Sequence, residues 1–118
     1  MIGFTAPSGN SYKGYTLPNI LLVTYLSGDG SSASSSYASL PLIGIKHIYF
    51  NYSKGNYGDM SIVLYDKNNV ATTLVSHGIY VTSGTINLDV THDHITFNIS
   101  PHGADIGTLV ISSISMTA

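Results

Sequence analysis

The sequence predicts an all-β protein, an antiparallel β-sandwich of about 7–9 strands. Three observations carry that expectation. Strong helix formers are rare, and no apolar 3.6-residue period persists for three turns. Runs of strand length, rich in Val, Ile, Thr and Tyr and bounded by Gly, Ser, Asn and Pro, recur along the chain. They follow one another without intervening helical patterns, which suits an antiparallel sandwich rather than alternating β and α units. A chain of 118 residues with 43% hydrophobic content fits one domain spanning 1–118.

Taken in order, the N-terminal part, residues 1–18, reads as loop, with Pro7 and Pro18 as breakers around APSGNSYKGYTLPN. NILLVTYL then gives a strand near 19–26, too short for a membrane span. Residues 27–39, SGDGSSASSSYAS, form the one low-complexity stretch and predict a flexible Ser-rich surface loop. Further strands are expected near 45–52, 60–66, 70–75, 85–90, 94–100 and 108–116, with a shorter one at 79–82.

TINLDV and HITFNIS each carry one apolar face, because side chains along a strand alternate with period two. Folding them back as a hairpin pairs Val90 with Ile95, Leu88 with Phe97 and Ile86 with Ile99, and Asp89 with Thr96 and Asn87 with Asn98 on the other face. Thr91, His92, Asp93 and His94 are then the bend. MSIVLYD and VATTLV predict a second hairpin around Lys67-Asn68-Asn69, with a left-handed Asn at the end of the loop, Leu64 opposite Thr72 and Ile62 opposite Leu74. In GTLVISSISM the apolar phase switches between Leu109/Ile111 and Ile114/Met116, which makes Ser112-Ser113 a candidate β-bulge or the strand a central one with both faces partly covered.

Composition excludes several functions. The four lysines are scattered and arginine is absent, so no phosphate-binding stripe exists for nucleic acid. No cysteine is present, and no signal-peptide pattern opens the sequence, which predicts folding without disulfides or export. Asn51-Tyr52-Ser53 and Asn98-Ile99-Ser100 match the glycosylation tripeptide by chance on that reading. The six aspartates lie mostly near turns, and glutamate is absent, so no carboxylate pair stands out for acid–base catalysis. There is no G-x-S-x-G elbow, phosphate loop or dinucleotide fingerprint, and the expectation is a protein that is not an enzyme. His92-Asp93-His94 has a metal-friendly spacing, and on an extended strand the two rings would share a face about 6–7 Å apart. A tight bend makes them diverge. Metal ligation by His92 and His94 then needs further ligands, such as symmetric copies in a trimer, and the alternative is a solvated hairpin tip.

Nine tyrosines and an abundance of Ser, Thr, Asn and Gly make a neutral, hydroxyl-rich, aromatic surface. Such surfaces suit neutral polar ligands such as sugars, because tyrosine stacks on apolar C–H faces while asparagine bonds the hydroxyl rims. Tyr49, Asn51, Tyr65, Asn87 and Asn98 are the candidate ligand-binding residues, on the expectation that they share one sheet surface. The opposing view is an ordinary outer sheet face with half-buried tyrosines.

SLPLIGIKHIYFNYSKGN, MSIVLYDKNNVATT, GTINLDVTHDHITFNIS and GTLVISSISMT together resemble the jelly-roll β-sandwiches of carbohydrate-binding modules over about residues 40–117. The resemblance implies a binding module with no catalysis of its own. The chain departs from it in lacking tryptophan and in carrying Ser112 and Ser113 where such closing strands often have acids. The bias toward Ser, Thr, Gly, Asn and Tyr is also similar to that of phage tail-fibre and baseplate proteins. The reading is therefore a glycan-binding module of a phage or phage-like virion, folded in the host bacterial cytoplasm and contacting host carbohydrate and other virion proteins, with a homo-oligomer, a trimer among the options. Its alternative is a structural subunit acting through protein contacts alone.

Overall fold

The computed structural model describes residues 15–26, 33–103 and 105–118. Eleven strands are present among them: β1 (Tyr15–Thr16), β2 (Ile20–Val23), β3 (Tyr25–Leu26), β4 (Ala33–Ser34), β5 (Ser36–Pro41), β6 (His47–Lys54), β7 (Asp59–Tyr65), β8 (Ala71–His77), β9 (Thr82–Asp89), β10 (His94–Ser100) and β11 (Thr108–Thr117). Nine of them build an antiparallel sandwich. The first sheet has β1 and β2 end to end along one edge of β11, followed by β6 and β9. The second has the order β5-β10-β7-β8, and β3 and β4 form a separate ribbon.

Alternation decides what lies inside. Ile48 and Phe50 of β6 and Leu109, Ile111, Ile114 and Met116 of β11 are fully buried from the first sheet. Leu40 of β5, Met60, Ile62 and Leu64 of β7, and Ile95, Phe97 and Ile99 of β10 meet them from the second. Each intervening residue faces outward, as the strand period requires. The phase switch in β11 is resolved by a bulge between Ser112 and Ser115, where Ser113 and Ile114 together oppose Phe50. Ser113 takes φ 54°, and the extra residue turns Ile114 and Met116 back into the core.

Thr82–Asp89 and His94–Ser100 do not form the expected hairpin. β9 pairs with β6, setting Leu88 opposite Ile48 and Ile86 opposite Phe50, whereas β10 pairs with β5 and β7 in the other sheet. The apolar faces still meet, but across the sandwich rather than within one sheet. The link between them is held by other loops: Val90 donates its N–H to Lys46 O at 2.9 Å, and Asp93 donates to Tyr65 O and accepts from Leu42 N–H, both at 2.8 Å.

The second hairpin forms as β7–β8 with Leu64 opposite Thr72 and Asn69 at φ 65°. Ile62, however, faces Val75 rather than Leu74, because a bulge inserts Leu74 between Thr73 and Val75. The Ser-rich stretch is in part a strand. Residues 27–32 lie outside the described residues, but β4 and β5 occupy 33–34 and 36–41, with Ser36, Ala38 and Leu40 turned inward. The expectation of a loop from composition overlooked that small residues at alternate positions can pack against a sheet. Of the predicted N-terminal loop, residues 15–16 are strand and 1–14 lie outside the described residues. The short strand expected at 79–82 is a bend, with β9 starting at Thr82.

Candidate functional site

The two outer faces divide the five predicted ligand residues. Tyr49, Asn51 and Asn87 lie on the first sheet; Tyr65 and Asn98 lie on the second, beyond a core about 10 Å thick. Same-parity residues on different strands share a surface only when their strands share a sheet, so the single five-residue patch does not form.

On the first sheet, Tyr49 occupies the central strand β6, directly between Asn87 of β9 and Ser115 of β11. Asn51 follows two residues along β6. His47, two residues before, reaches both partners on β9: Nδ1–H donates to Asp89 Oδ1 at 2.6 Å, and Nε2–H donates to Asn87 Oδ1. Both ring nitrogens therefore face acceptors, a setting that suits the imidazolium. The Asp89 hydrogen bond, then that to Asn87, raises the His47 pKa, with the Asp89 charge adding to this and slight desolvation opposing it. Thr85 Oγ1 donates to Asn51 Oδ1 at 2.6 Å. Both asparagine oxygens are thus engaged, which fixes the two amide planes, and with them the NH2 groups, beside Tyr49.

On the second sheet, Tyr65 stacks on His94 with ring centroids 4.8 Å apart and planes 11° from parallel. His94 is fixed from behind by Asp93, whose Oδ2 lies 2.8 Å from Nδ1. Asn98 donates to Ser100 Oγ at 2.9 Å and faces the exposed Tyr37 across the β10–β5 ladder. Ser39, Thr96 and Val63 cross the face between the Tyr65/His94 and Tyr37/Asn98 groups.

His92 and His94 part company. His94 lies on this outer face, while His92 turns to the loop end of the sandwich and lines a cleft there. Among the described residues no three His, Cys, Asp or Glu side chains come together to hold a metal ion.

That cleft, of about 640 Å³, is bounded by residues 42–46, 66–68 and 90–93. Sequence reasoning missed it, since its walls come from three separate links that no local pattern joins. The same holds for Thr85, whose hydroxyl orients Asn51 from the neighbouring strand.

No protein-family model matches the sequence, and no curated protein matches it. Solved structures do. The chain is similar to a family 29 carbohydrate-binding module, a point variant complexed with mannohexaose, at 15% identity and TM-score 0.51, over 91% of this chain and 81% of the other. It is also similar to the pre-peptidase C-terminal domain of a collagenase from Bacillus anthracis, at 13% identity and TM-score 0.52, over 92% and 98% of the two chains. These likenesses establish a shared β-sandwich fold.

Proposed function

We propose that this chain is a non-catalytic glycan-binding module whose contact surface is the outer face of the first sheet. The observation that carries the reading is the arrangement around Tyr49. An aromatic ring on a rigid central strand is flanked by two amides whose oxygens are tied back to His47 and Thr85, so their NH2 donors are oriented before any ligand arrives. A sugar needs these two elements, a platform for its C–H face and fixed donors for its hydroxyl rim. Preorganised donors cost less ordering on binding. The structural neighbour complexed with mannohexaose supports the choice of ligand class. Tyr65 and Asn98, on the opposite face, are a separate candidate surface.

The neutral, hydroxyl-rich, cysteine-free composition supports a setting in a phage or phage-like virion that contacts host-surface carbohydrate. The assembly alternative draws on one feature, Leu21, which is 63% exposed on β2 and paired with Val110. Sedimentation at low concentration separates assembly from a monomeric binder.

The direct test is titration with mannohexaose and soluble cell-wall glycans, followed by backbone amide shifts. Perturbation centred on 47–53 and 83–89, and a loss of about ten-fold or more in affinity for Tyr49→Ala, is expected from losing a stacked ring. Loss with Tyr65→Ala instead moves the site to the other sheet. No binding of any glycan overturns the reading.

A further inference from the structure

The cleft at the loop end is built before it is filled. Leu42, Ile43, Gly44 and Ile45 make a tight turn, closed by Ile45 N–H donating to Leu42 O at 2.9 Å, with Gly44 at φ 84°. The 66–70 loop is tied by the Asp66 carboxylate, which accepts from Asn68 N–H at 2.8 Å and Val70 N–H at 2.9 Å. The crossover at 90–93 is bonded to both Leu42 and Tyr65. Three links from three parts of the chain are thereby fixed around one space of about 640 Å³.

Its charges are mixed, and what sets it apart is a pair of lysines. Two of the four lysines in the chain, Lys46 and Lys67, line it. Two acids line it as well and keep their charge, each held to one side through a single oxygen: Asp66 Oδ1 by its own loop and Asp93 Oδ2 by His94. Among the described residues neither lysine makes an ion pair; the close charge contacts are those of His47 with Asp89 and His94 with Asp93. His92 adds a donor. Its Nδ1 is buried without a partner, which favours the tautomer carrying its proton on Nε2, the remaining hydrogen-bonding atom of the ring. Leu42, Ile45 and Val90 are core residues that back the cleft, and Ile43 stands 72% exposed at its rim.

We propose that this cleft is an oxyanion-accepting site that takes a compact, sugar-sized ligand bearing a carboxylate or a phosphate. Lys46, Lys67 and His92 receive the charged group, and the exposed Ile43 at the rim packs against the body of the ligand. The site shares no side chain with the patch around Tyr49 and stands apart from the glycan reading of that face.

Titration of the intact chain with D-glucuronate, glucose 6-phosphate and glucose, followed by amide shifts, tests it. The expected result is binding of one or both anions with perturbations confined to 42–46, 66–68 and 90–93, and none from glucose. Whichever anion binds more tightly identifies the carboxylate or the phosphate as the natural group. Lys46→Ala and Lys67→Ala should each weaken binding by about ten-fold, and added salt should weaken it further. Both lysines are exposed, so these variants keep the fold. Tyr49→Ala should leave anion binding unchanged, whatever it does to binding on the sheet face. Binding of glucose as tight as glucuronate, perturbations elsewhere, indifference to both lysine variants, or no binding of either anion overturns the proposal.

Discussion

Phe50 and Phe97 meet edge to face across the interior, with ring centroids 5.3 Å apart and planes at 88°. One comes from the first sheet and the other from the second, and both are fully buried. Edge-to-face pairs add about 0.5–1.5 kcal/mol beyond the area they bury. Truncating Phe97 to Ala removes that contact and leaves a cavity between close-packed layers. The expected cost is about 3–5 kcal/mol, read as a lower urea midpoint at unchanged slope. Phe97→Leu, which keeps most of the volume, should cost less. Equal losses for the two variants would show that the interior relaxes around the gap.

His47 should titrate above the usual histidine value because its two nitrogens donate to Asp89 and Asn87. A folded-state pKa raised above the unfolded value adds stability that is fully present below about 6.5 and is lost as pH rises through the folded pKa. Stability measured by urea denaturation should therefore fall across that window. Asp89→Asn removes the largest cause and should bring the His47 resonance, followed by NMR, back toward its ordinary midpoint. A midpoint unmoved by Asp89→Asn would mean that the hydrogen bond does not hold the charge.

How far the sequence could be read depends on the range of the interaction concerned. Burial was legible because it is set by the two-residue alternation: Ile86, Leu88, Val90, Ile95, Phe97 and Ile99 all turn inward as expected. Pairing was not legible from the same pattern. Two half-apolar strands separated by a short link satisfy their faces equally well as neighbours in one sheet or as partners across a sandwich. What decides between them is the partner strands β6 on one side and β5 and β7 on the other, distant in sequence. The candidate site inherited that ambiguity. Tyr49 and Asn87 do stand side by side, but through β6–β9 pairing, while Asn98 went with β10 to the far face. Local backbone chemistry fared better. The bulge at Ser112-Ser113 and the left-handed Asn69 both rest on short-range sterics, and both are present.

The bulge carries a cost that can be measured. Ser113 sits at φ 54°, a conformation in which a Cβ crowds the following carbonyl. It is exposed, so its side chain contributes little packing. Ser113→Gly should raise stability by up to about 1 kcal/mol, and Ser113→Val should lower it. Deleting Ser113 is a different matter. It removes the extra residue that returns Ile114 and Met116 to the core, and it should unfold the domain or force β11 to re-register against β6. A deletion variant with wild-type thermal stability would show that the phase of β11 is set elsewhere.

Lys54 gives the sharpest test of how charge is tolerated inside this sandwich. It lies at the end of β6, is 1% exposed, and points inward opposite Leu109, with Nζ donating to Gly55 O at 2.7 Å. Burial lowers its pKa, and the charge of Asp59 opposes that only in part. The ammonium is therefore held at a desolvation cost, while its methylene stem packs as an apolar side chain would. Lys54→Met keeps the stem and discards the charge, so it should raise stability at neutral pH by about 1 kcal/mol. The pH dependence has a definite sign. With a folded pKa below the unfolded value of about 10.5, the penalty on the wild type is full at neutral pH and is relieved as pH rises through the folded pKa. The advantage of Lys54→Met should then shrink toward pH 10, in the difference between the two urea midpoints. A gap that stays constant with pH, or a variant less stable than the parent at pH 7, would mean that the bond to Gly55 outweighs the buried charge.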